Sequence, residues 1–291
     1  MEKEIATRLA TLGHPQRLAI FRLLVRRHPG RVPAGEIARA LGLPASTLSS
    51  HLAALLATGL AARERQGTSL LYGVAMEAVR ETLDFLFLDC CRGRPEACAP
   101  LLLPQLIGEA RAMTDRKFNV LFLCTGNSAR SIMAEAILRA EAGDRFNAFS
   151  AGTRPAGAVH PLALDLLQSL GHDTGSLRSK DLDEFTGERA PQLDFVFTVC
   201  DRAANEECPI FPGVPVTAHW GVPDPAAVEG DEITRRAAFR DAYARLQNRI
   251  RLFAALPLES LDRLARQREA DAIARACDKE ERHGEPTTSR A

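Results

Sequence analysis

One stretch decides the fold of the chain: Val120-Leu121-Phe122-Leu123-Cys124-Thr125-Gly126-Asn127-Ser128-Ala129-Arg130-Ser131. Four apolar residues lead into Cys124, a polar loop follows, and a helical pattern begins directly after Ser131. A buried strand that feeds a tight loop and then a helix directs backbone N–H groups and the helix dipole towards one point. The stretch therefore predicts a strand–loop–helix unit with an oxyanion site in its loop.

Cys124 has the position of a nucleophile in this loop. The loop amides and the helix N-terminus lower the pKa of a cysteine placed there, and the thiolate is the reactive form. Arg130 adds a planar guanidinium group that suits a tetrahedral oxyanion. The alternative is an inert cysteine at a strand end, which the combination of cysteine, spacing and arginine disfavours. The predicted oxyanion ligands are Thr125, Gly126, Asn127, Ser128, Ala129, Arg130 and Ser131.

Strands alternate with helices in the second half of the chain. Strands are predicted over 119–123, 146–150, 195–199 and 215–218, and helices over 132–142, 161–170, 233–254 and 258–276. This alternation predicts a parallel sheet that helices cover on both faces, with the ligand at the carboxyl end of a strand. Cys124 lies at such an end.

Three further residues are candidates for chemistry at this loop. Asp224 lies between two prolines and is a candidate general acid; the alternative is a surface turn, because Asp-Pro is common in turns. Cys200 ends another apolar strand and therefore opens onto the same edge as Cys124, and Cys208 follows in a polar segment. Three thiols within reach form a relay that passes on a disulfide. The alternative is a buried Cys200 and a bystander Cys208.

Polar side chains around the nucleophile complete the predicted site. The hydroxyl groups of Ser128 and Ser131 are placed to stabilise the thiolate by hydrogen bonding. Four other residues are expected to form a polar network that holds the loop: Asn127, Glu135, Ser150 and Lys180.

Residues 117–275 resemble the arsenate reductases of the low-molecular-weight protein tyrosine phosphatase superfamily. The resemblance is carried by residues 124–135 and by the motifs Ser150-Ala151-Gly152-Thr153, Arg178-Ser179-Lys180, Cys200-Asp201 with Cys208-Pro209, and His219-Trp220-Gly221 with Pro223-Asp224-Pro225. It implies a flavodoxin-like fold with a four-stranded parallel sheet.

The same resemblance implies a mechanism. Cys124 attacks arsenate, which the loop amides and Arg130 hold, while Asp224 assists the departure of oxygen. Cys200 then attacks Cys124, which releases arsenite and leaves a disulfide between the two cysteines. Cys208 resolves that disulfide, and a thioredoxin-type protein reduces the Cys200–Cys208 pair. The spacing of these two cysteines leaves glutaredoxin or another low-molecular-weight thiol open as the reductant.

The chain departs from the family pattern at two positions. Ala129 stands where many relatives have a cysteine that is not part of the relay. Lys180 falls where some relatives have a carboxylate beside a bound potassium ion, and its ammonium group is expected to replace that ion. No tightly bound cofactor is therefore expected.

Charge sets the first part of the chain apart from the rest. The 291-residue chain has no net charge, but residues 1–80 hold eleven Lys and Arg against five Asp and Glu. A basic segment on a neutral chain favours a polyanionic partner. No apolar run approaches a membrane span, and the N-terminus lacks a signal-peptide pattern. We therefore expect a cytoplasmic protein without a membrane partner.

Residues 4–88 follow the order of a winged helix-turn-helix. Helices are predicted over 4–27, interrupted at His14-Pro15, and over 35–41, 46–57 and 76–88, with a basic hairpin over 60–74. Ser46 or a neighbour is expected to cap the 46–57 helix, which would enter the major groove of DNA. The alternative is a helical bundle with a solvated basic face. The candidate DNA contacts are Ser46, Thr47, Ser49, Ser50 and His51, with Arg63 and Arg65 on the wing.

Residues 3–98 resemble the arsenical-resistance repressor (ArsR-type) family. The resemblance is carried by Leu12-Gly13-His14-Pro15-Gln16-Arg17-Leu18-Ala19-Ile20 and Ser46-Thr47-Leu48-Ser49-Ser50-His51-Leu52. It implies a homodimeric repressor that binds operator DNA and leaves it when a metal or metalloid ion binds.

Cys90, Cys91 and Cys98 form a candidate inducer site. Two adjacent thiols and a third across a Gly/Pro turn suit a thiophilic ion. Tetrahedral zinc needs a fourth ligand, whereas trivalent arsenic takes three sulfurs, and some members of the repressor family carry such a site. Arsenite or antimonite is therefore the expected inducer. The alternative is three incidental thiols near a linker.

The sequence thus predicts a two-domain chain. A mainly α winged helix-turn-helix is expected over 1–98, a linker over 99–116, an α/β domain over 117–276 and a disordered polar tail over 277–291. The predicted function is an arsenate reductase fused to an arsenite-responsive transcriptional repressor. Two alternatives stay open: a phosphatase acting on phosphoesters, fused to a DNA-binding regulator, and a redox or oxyanion-sensing module without turnover.

Overall fold

The computed structural model of the chain describes residues 1–90, 116–187, 190–206, 211 and 215–284. The chain divides into two compact units, Met1–Arg111 and Ala112–Ala291. Nearly all of the predicted linker over 99–116 lies outside the described residues, as do residues 285–291 of the predicted tail.

The first unit combines helices with a small antiparallel sheet. Its elements are α1 (Glu2–Leu12), α2 (Pro15–Arg26), β1 (Val32–Pro33), α3 (Ala34–Leu41), α4 (Ala45–Ala57), β2 (Ala61–Gln66), β3 (Ser69–Val74), α5 (Met76–Asp84) and a π-helical continuation (Phe85–Cys90). The sheet has the strand order β1-β3-β2, and both pairings are antiparallel. The predicted order of helices followed by a hairpin and a further helix is confirmed.

Local sequence signals set two helix boundaries in this unit. α2 begins at Pro15, and the His14 side chain accepts a hydrogen bond from Gln16 N (3.2 Å) as its N-cap. Proline suits this position, because the first helical N–H has no partner within the helix. Gly42 ends α3 with φ 62°, a left-handed conformation that glycine adopts without steric cost.

The cap expected at Ser46 is wrong. α4 begins one residue earlier, at Ala45, and its N-cap residue is Pro44, which makes no side-chain cap hydrogen bond. The proline ring fixes φ near the value at which the chain enters the helix, so backbone rigidity replaces a side-chain cap. The Ser46 side chain is exposed on the surface of α4.

The predicted wing is the β2–β3 hairpin. Gln66 pairs with Ser69 across a two-residue turn, in which Gly67 has φ 58°. A positive φ at this position is typical of the tight hairpin turns that match strand twist. β2 is an edge strand of this sheet, and Arg63 and Arg65 are exposed on it.

The second unit is an α/β fold with a four-stranded parallel sheet. Its elements are β4 (Phe118–Cys124), α6 (Arg130–Ala142), β5 (Phe146–Gly152), α7 (Pro161–Ser169), β6 (Phe195–Thr198), α8 (Asp201–Asn205), β7 (Val216–His219), α9 (Glu232–Ala254) and α10 (Arg263–Gly284), with short 3-10 turns at Leu182–Phe185, Pro225–Ala227 and Leu258–Ser260. The strand order is β5-β4-β6-β7, and every pairing is parallel. The predicted sheet is confirmed, and Cys124 ends one of its two central strands.

Alternate side chains of β4 enter two apolar cores, because successive side chains of a strand point to opposite faces. Val120 and Phe122 lie in the larger core, which α6 and α9 cover, whereas Leu121 and Leu123 lie in the smaller core on the other face. All four are fully buried. A strand buried on both faces reads as a continuous apolar run, which explains the residues before Cys124.

Two predictions at the C-terminal end are corrected. The helix predicted over 258–276 is split into the 3-10 turn Leu258–Ser260 and α10, which begins at Arg263. The disorder predicted from residue 277 is wrong as far as Gly284, where α10 ends. The physical reason is a buried stripe at helical spacing, which anchors a helix of mostly polar composition. Its members are Ala270, Ile273, Ala274 and Cys277.

Within the described ranges, no single helix is long and apolar enough to cross a membrane. α3 and α4 reach the required length and composition only as a pair, and that pair is bent by 112°.

Candidate functional site

The loop between β4 and α6 surrounds the Cys124 thiol. Cys124 is the last residue of β4 and is 3% exposed. Its Sγ lies 3.1 Å from the backbone N of Asn127 and 2.9 Å from the hydroxyl oxygen of Ser131. Of the two serines predicted to stabilise the thiolate, Ser131 is therefore in contact, while the described contacts of the sulfur leave out Ser128.

Asn127 fixes the shape of this loop. Its φ is 42°, a left-handed conformation that is uncommon outside glycine but accessible to asparagine. Its side chain is fully buried: Oδ1 accepts from Lys180 N (2.6 Å), and Nδ2 donates to Ser131 Oγ (2.8 Å) and Ser150 Oγ (2.9 Å). These bonds hold the Asn127 backbone N–H towards the Cys124 sulfur.

The buried ion pair of Lys180 and Glu135 supports the residues that bind the Asn127 side chain. Lys180 Nζ lies 2.9 Å from Glu135 Oε2, and the same oxygen accepts from Ser150 Oγ at 2.5 Å. Arg139 binds the other Glu135 oxygen at 2.6 Å. Burial of these charges is tolerated because each is paired and hydrogen-bonded. The structure thus brings together the four residues of the predicted network.

Residues 153–160, which follow β5, lie along the loop. Its backbone N–H groups donate to loop carbonyls: Thr153 N to Cys124 O (3.2 Å), Arg154 N to Thr125 O (2.9 Å), Ala156 N to Gly126 O (2.8 Å) and His160 N to Ser128 O (2.8 Å). Gly152 permits this approach, because a Cβ atom there would lie 2.7 Å from Thr125 O. The glycine of the 150–153 motif is the sequence signal for this contact, which sequence reasoning missed.

Arg130 and Asp224 meet at the mouth of the loop. Arg130 begins α6, and its Nη2 lies 2.7 Å from Asp224 Oδ2, while its Nη1 donates to Val222 O at 3.1 Å. The Asp224 side chain is 43% exposed and the Arg130 side chain 13%. The structure therefore places the predicted oxyanion-binding guanidinium group beside the predicted general acid, and the latter is open to solvent.

The low pKa predicted for the nucleophile is wrong for this structure. Burial raises the pKa of the Cys124 thiol above its ordinary value, the hydrogen bond with Ser131 lowers it, and the nearby Cys200 raises it. The bond from Asn127 N–H also lowers it. The loop supplies donors for a thiolate, but removal of water from the thiol outweighs them.

Cys200 lies at the same edge of the sheet as Cys124. It follows β6, is 2% exposed and is the N-cap residue of α8, where its Sγ accepts from Ala203 N at 3.4 Å. The Cys200 sulfur lies 3.6 Å from Thr125 Oγ1, which places the second thiol beside the loop of the first. Cys208 lies outside the described residues, and its role stays a prediction.

The candidate DNA contacts lie on α4 and on the wing. The exposed members are Ser46, Ser49, Ser50, Arg63 and Arg65, and Thr47 is half-buried. His51 differs from them, because its Nε2 lies 2.7 Å from Gln16 Oε1 and its ring lies 4.7 Å from that of His14. Burial lowers the pKa of His51, and His14 and Arg17 lower it further. His51 thus connects α4 to α2.

Cys90 is the one candidate metalloid ligand within the described residues. It ends the π-helical continuation of α5 and is exposed. Cys91 and Cys98 lie outside the described residues, so the three-thiol site stays a prediction.

Comparison with known proteins identifies relatives of the second unit. Residues 119–269 match the family model of the low molecular weight phosphotyrosine protein phosphatases. The arsenate reductase of Halalkalibacterium halodurans is 37% identical over 135 residues, which are 46% of this chain and 94% of that protein. The arsenate reductase of Bacillus licheniformis is 37% identical over 138 residues, which are 47% of this chain and 96% of that protein.

The first unit has relatives of another kind. Residues 12–64 match a helix-turn-helix domain model. A similar solved structure is the homodimeric winged helix-turn-helix DNA-binding domain of a possible ArsR-family transcriptional regulator from Mycobacterium bovis. It is 27% identical, covers 33% of this chain and 82% of its own, and has a TM-score of 0.26. The predicted combination of a helix-turn-helix domain with a phosphatase-family domain in one chain is confirmed.

Replacement of Ser131 by alanine is expected to make Cys124 less reactive. The variant loses a hydrogen bond that lowers the thiol pKa, so the alkylation rate moves to higher pH. At pH 7 the rate should fall about tenfold, because a hydrogen bond to a charged group contributes roughly 1.5 kcal/mol or more. The measurement is the rate of iodoacetamide labelling of Cys124 against pH, read by mass spectrometry.

Ser128→Ala is the matched control for this experiment, because it removes a neighbouring loop hydroxyl without a described contact to the sulfur. Its labelling profile should stay that of the wild type. Equal profiles for Ser131→Ala and the wild type would contradict the assignment of the Ser131 hydroxyl to the thiolate.

Proposed function

The chain belongs to the low molecular weight phosphotyrosine protein phosphatase family, and on that basis we propose that its second unit reduces arsenate to arsenite. Two relatives that match this unit over nearly their whole length, from Halalkalibacterium halodurans and Bacillus licheniformis, are arsenate reductases. We propose further that the first unit is a repressor that the arsenite product releases from DNA.

The observation that carries the reductase proposal is the placement of two buried thiols at one edge of the sheet. Cys124 and Cys200 end neighbouring segments, and the Cys200 sulfur contacts Thr125 in the loop of Cys124. Hydrolysis of a phosphoester by a family member of this kind uses one thiolate and a general acid. A second thiol beside the first supplies what a reduction needs, a group that takes over the oxidised sulfur.

In the proposed first step, arsenate binds to the loop amides and to Arg130. The oxyanion competes with Asp224 for the guanidinium group, which frees the carboxyl group to act on a leaving oxygen. The sulfur of Cys124 attacks arsenic and its thiol proton passes to an arsenate oxygen; that oxygen departs as water with a second proton, which the solvent-exposed Asp224 carboxyl group relays from solvent. Burial raises the pKa of the Cys124 thiol, and the hydrogen bonds from Ser131 and from Asn127 N–H stabilise the sulfur as its proton passes to arsenate.

In the proposed second step, the Cys200 thiolate attacks the sulfur of Cys124. The S–S bond forms as the S–As bond breaks, and the electron pair leaves with arsenic, which departs as arsenite. Arsenic gains two electrons, and the two sulfurs lose them. Cys208 then attacks Cys200 and returns Cys124 to the thiol, and an external dithiol of the thioredoxin or glutaredoxin type reduces the Cys200–Cys208 disulfide.

In the proposed regulatory half, two copies of the first unit bind operator DNA through α4 and the wing. Three exposed serines of α4 and two exposed arginines of the wing support this assignment, because hydroxyl and guanidinium groups bind phosphates and base edges. Arsenite would bind to Cys90, Cys91 and Cys98. The product of one half is then the inducer of the other.

Replacement of Cys200 by serine should separate reduction from ester hydrolysis. Arsenate turnover with a thioredoxin system should fall to background, because no thiol displaces arsenite from Cys124. Hydrolysis of p-nitrophenyl phosphate should stay within about twofold of the wild type, because Cys124, Arg130 and Asp224 are unchanged. Cys124→Ser should abolish both activities, and Cys277→Ala should leave both intact.

A Cys200→Ser variant that still turns over arsenate would contradict the relay. A wild-type chain that hydrolyses the ester but gives no arsenite would favour the phosphatase alternative instead.

Replacement of Cys90 by serine tests the regulatory half. The variant should bind operator DNA with the affinity of the wild type and keep arsenate reductase activity, because Cys90 lies in the other unit. Arsenite should no longer release it from DNA, since two sulfurs hold trivalent arsenic less tightly than three. Fluorescence anisotropy of labelled operator DNA, titrated with arsenite, measures the effect. Release at wild-type arsenite concentrations would exclude Cys90 as a ligand.

A further inference from the structure

The motif His219-Trp220-Gly221 has no role in the chemistry described above, although it lies beside Cys200. His219 is the last residue of β7, which pairs with β6, the strand that leads to Cys200. His219 Nδ1 lies 2.9 Å from Thr198 Oγ1, and its Nε2 lies 3.0 Å from Asp201 Oδ1. The imidazole therefore bridges the residues on either side of the Val199–Cys200 pair.

Trp220 holds the backbone beneath this bridge. Its ring is fully buried and stacks on Phe197 with a centroid distance of 3.8 Å and an interplanar angle of 11°. Its backbone N donates to Thr198 O at 2.8 Å, and its indole N–H donates to Ala270 O at 3.4 Å. The end of β7 is thus fixed against both the sheet and α10, so His219 projects from a rigid base.

Gly221 leaves the space that the bridge occupies. A Cβ atom at this position would lie 2.6 Å from His219 Nε2 and 3.2 Å from Asp201 Oδ1. Any other residue would push on the two atoms that form the contact. The three residues of the motif therefore act together: His219 makes the contact with Asp201, Trp220 fixes the backbone, and Gly221 leaves space for the contact.

The element held by this arrangement is α8, which carries Cys200 as its N-cap residue. A helix of five residues is not stable by itself, so its position depends on contacts with the rest of the domain. Asp201 binds His219 at its first turn, and Glu206 binds Arg154 at 3.2 Å directly after its last residue. Arg154 belongs to the segment that lies along the Cys124 loop.

We propose that the His219–Asp201 contact is a latch that positions the Cys200 thiol for its attack on Cys124. The role of the latch rests on the proposed relay, in which the S–S bond forms as arsenite leaves. The latch fixes the residue after Cys200 to the neighbouring strand, and so holds the Cys200 sulfur beside Thr125. Both residues are positioning residues, since neither touches the substrate or the Cys124 sulfur in the described contacts.

The Asp201 side chain is suited to a test because it is 61% exposed, whereas that of His219 is 11% exposed. A hydrogen bond with so exposed a partner contributes little to the stability of the domain, so the Asp201 variants should fold. Asp201→Ala removes the contact. Asp201→Asn keeps an oxygen that accepts from the imidazole N–H. Asp241→Ala is the matched control, because it removes an equally exposed carboxylate that pairs with Arg245 at 2.8 Å on α9.

Two activities are measured on the full chain of each variant. The first is the single-turnover rate at which arsenate produces the Cys124–Cys200 disulfide, read by mass spectrometry with Cys208→Ser in every chain, because Cys208 would otherwise resolve that disulfide. The second is hydrolysis of p-nitrophenyl phosphate, which needs the Cys124 loop but not Cys200. Formation of the same disulfide with diamide, which is reduced to the hydrazine as two thiols are oxidised, provides a readout that does not depend on arsenate.

If the latch positions Cys200, its removal should slow formation of the disulfide and leave ester hydrolysis unchanged. Asp201→Ala should form the disulfide at least about tenfold more slowly with both oxidants, because a misplacement of about 1 Å is enough for such a loss, while ester hydrolysis stays within about twofold. Asp201→Asn should recover most of the rate, and Asp241→Ala should match the wild type.

Wild-type disulfide rates in Asp201→Ala would overturn the latch, as would an equal loss of ester hydrolysis, which would indicate general damage to the domain. An Asp201→Asn variant as slow as Asp201→Ala would also overturn it, because the hydrogen bond would then not be the cause. Failure of the wild type to reduce arsenate would contradict the proposed function instead, and the diamide rates would still decide on the latch.

Discussion

The hydrogen bonds that hold Asn127 in a left-handed conformation are the constraint on which the candidate site depends. That conformation costs a non-glycine residue about 1 kcal/mol or more, and three buried side-chain bonds offset the cost. In this conformation the backbone N–H of Asn127 points at the Cys124 sulfur. The support extends through Ser150 to the buried pair of Glu135 and Lys180, so a charge pair remote from the sulfur stiffens the loop.

The parallel sheet turns this loop into one half of a two-thiol site. β4 and β6 are neighbours and run in the same direction, so residues far apart in the chain meet at one edge. Cys200 therefore lies beside the loop of Cys124, and His219, at the end of β7, contacts the residue that follows Cys200. A loop that binds an oxyanion needs only its own residues. A relay needs the adjacent strand ends, and the fold provides both at the same edge.

Local patterns made part of this site predictable from sequence. The apolar run before Cys124 and the spacing to Arg130 predict the strand, the loop and the helix, and all three are confirmed, although the helix begins at Arg130, two residues before its predicted start. Effects that depend on distant packing were not predictable. The raised pKa of Cys124 follows from burial by the whole domain, and the need for a glycine at 152 follows from a segment that approaches the loop from another strand. The extension of α10 follows from a buried stripe that includes Ala274 and Cys277, within a segment of polar composition.

The central claim is that oxidising equivalents pass from arsenate through Cys124 to the later thiols. The most direct measurement is arsenate-dependent NADPH consumption with thioredoxin and its reductase, with arsenite quantified in the same samples. The account predicts equimolar NADPH loss and arsenite formation by the wild type, and a single turnover by Cys208→Ser. Continuous turnover by Cys208→Ser, or no arsenite from the wild type, would contradict it.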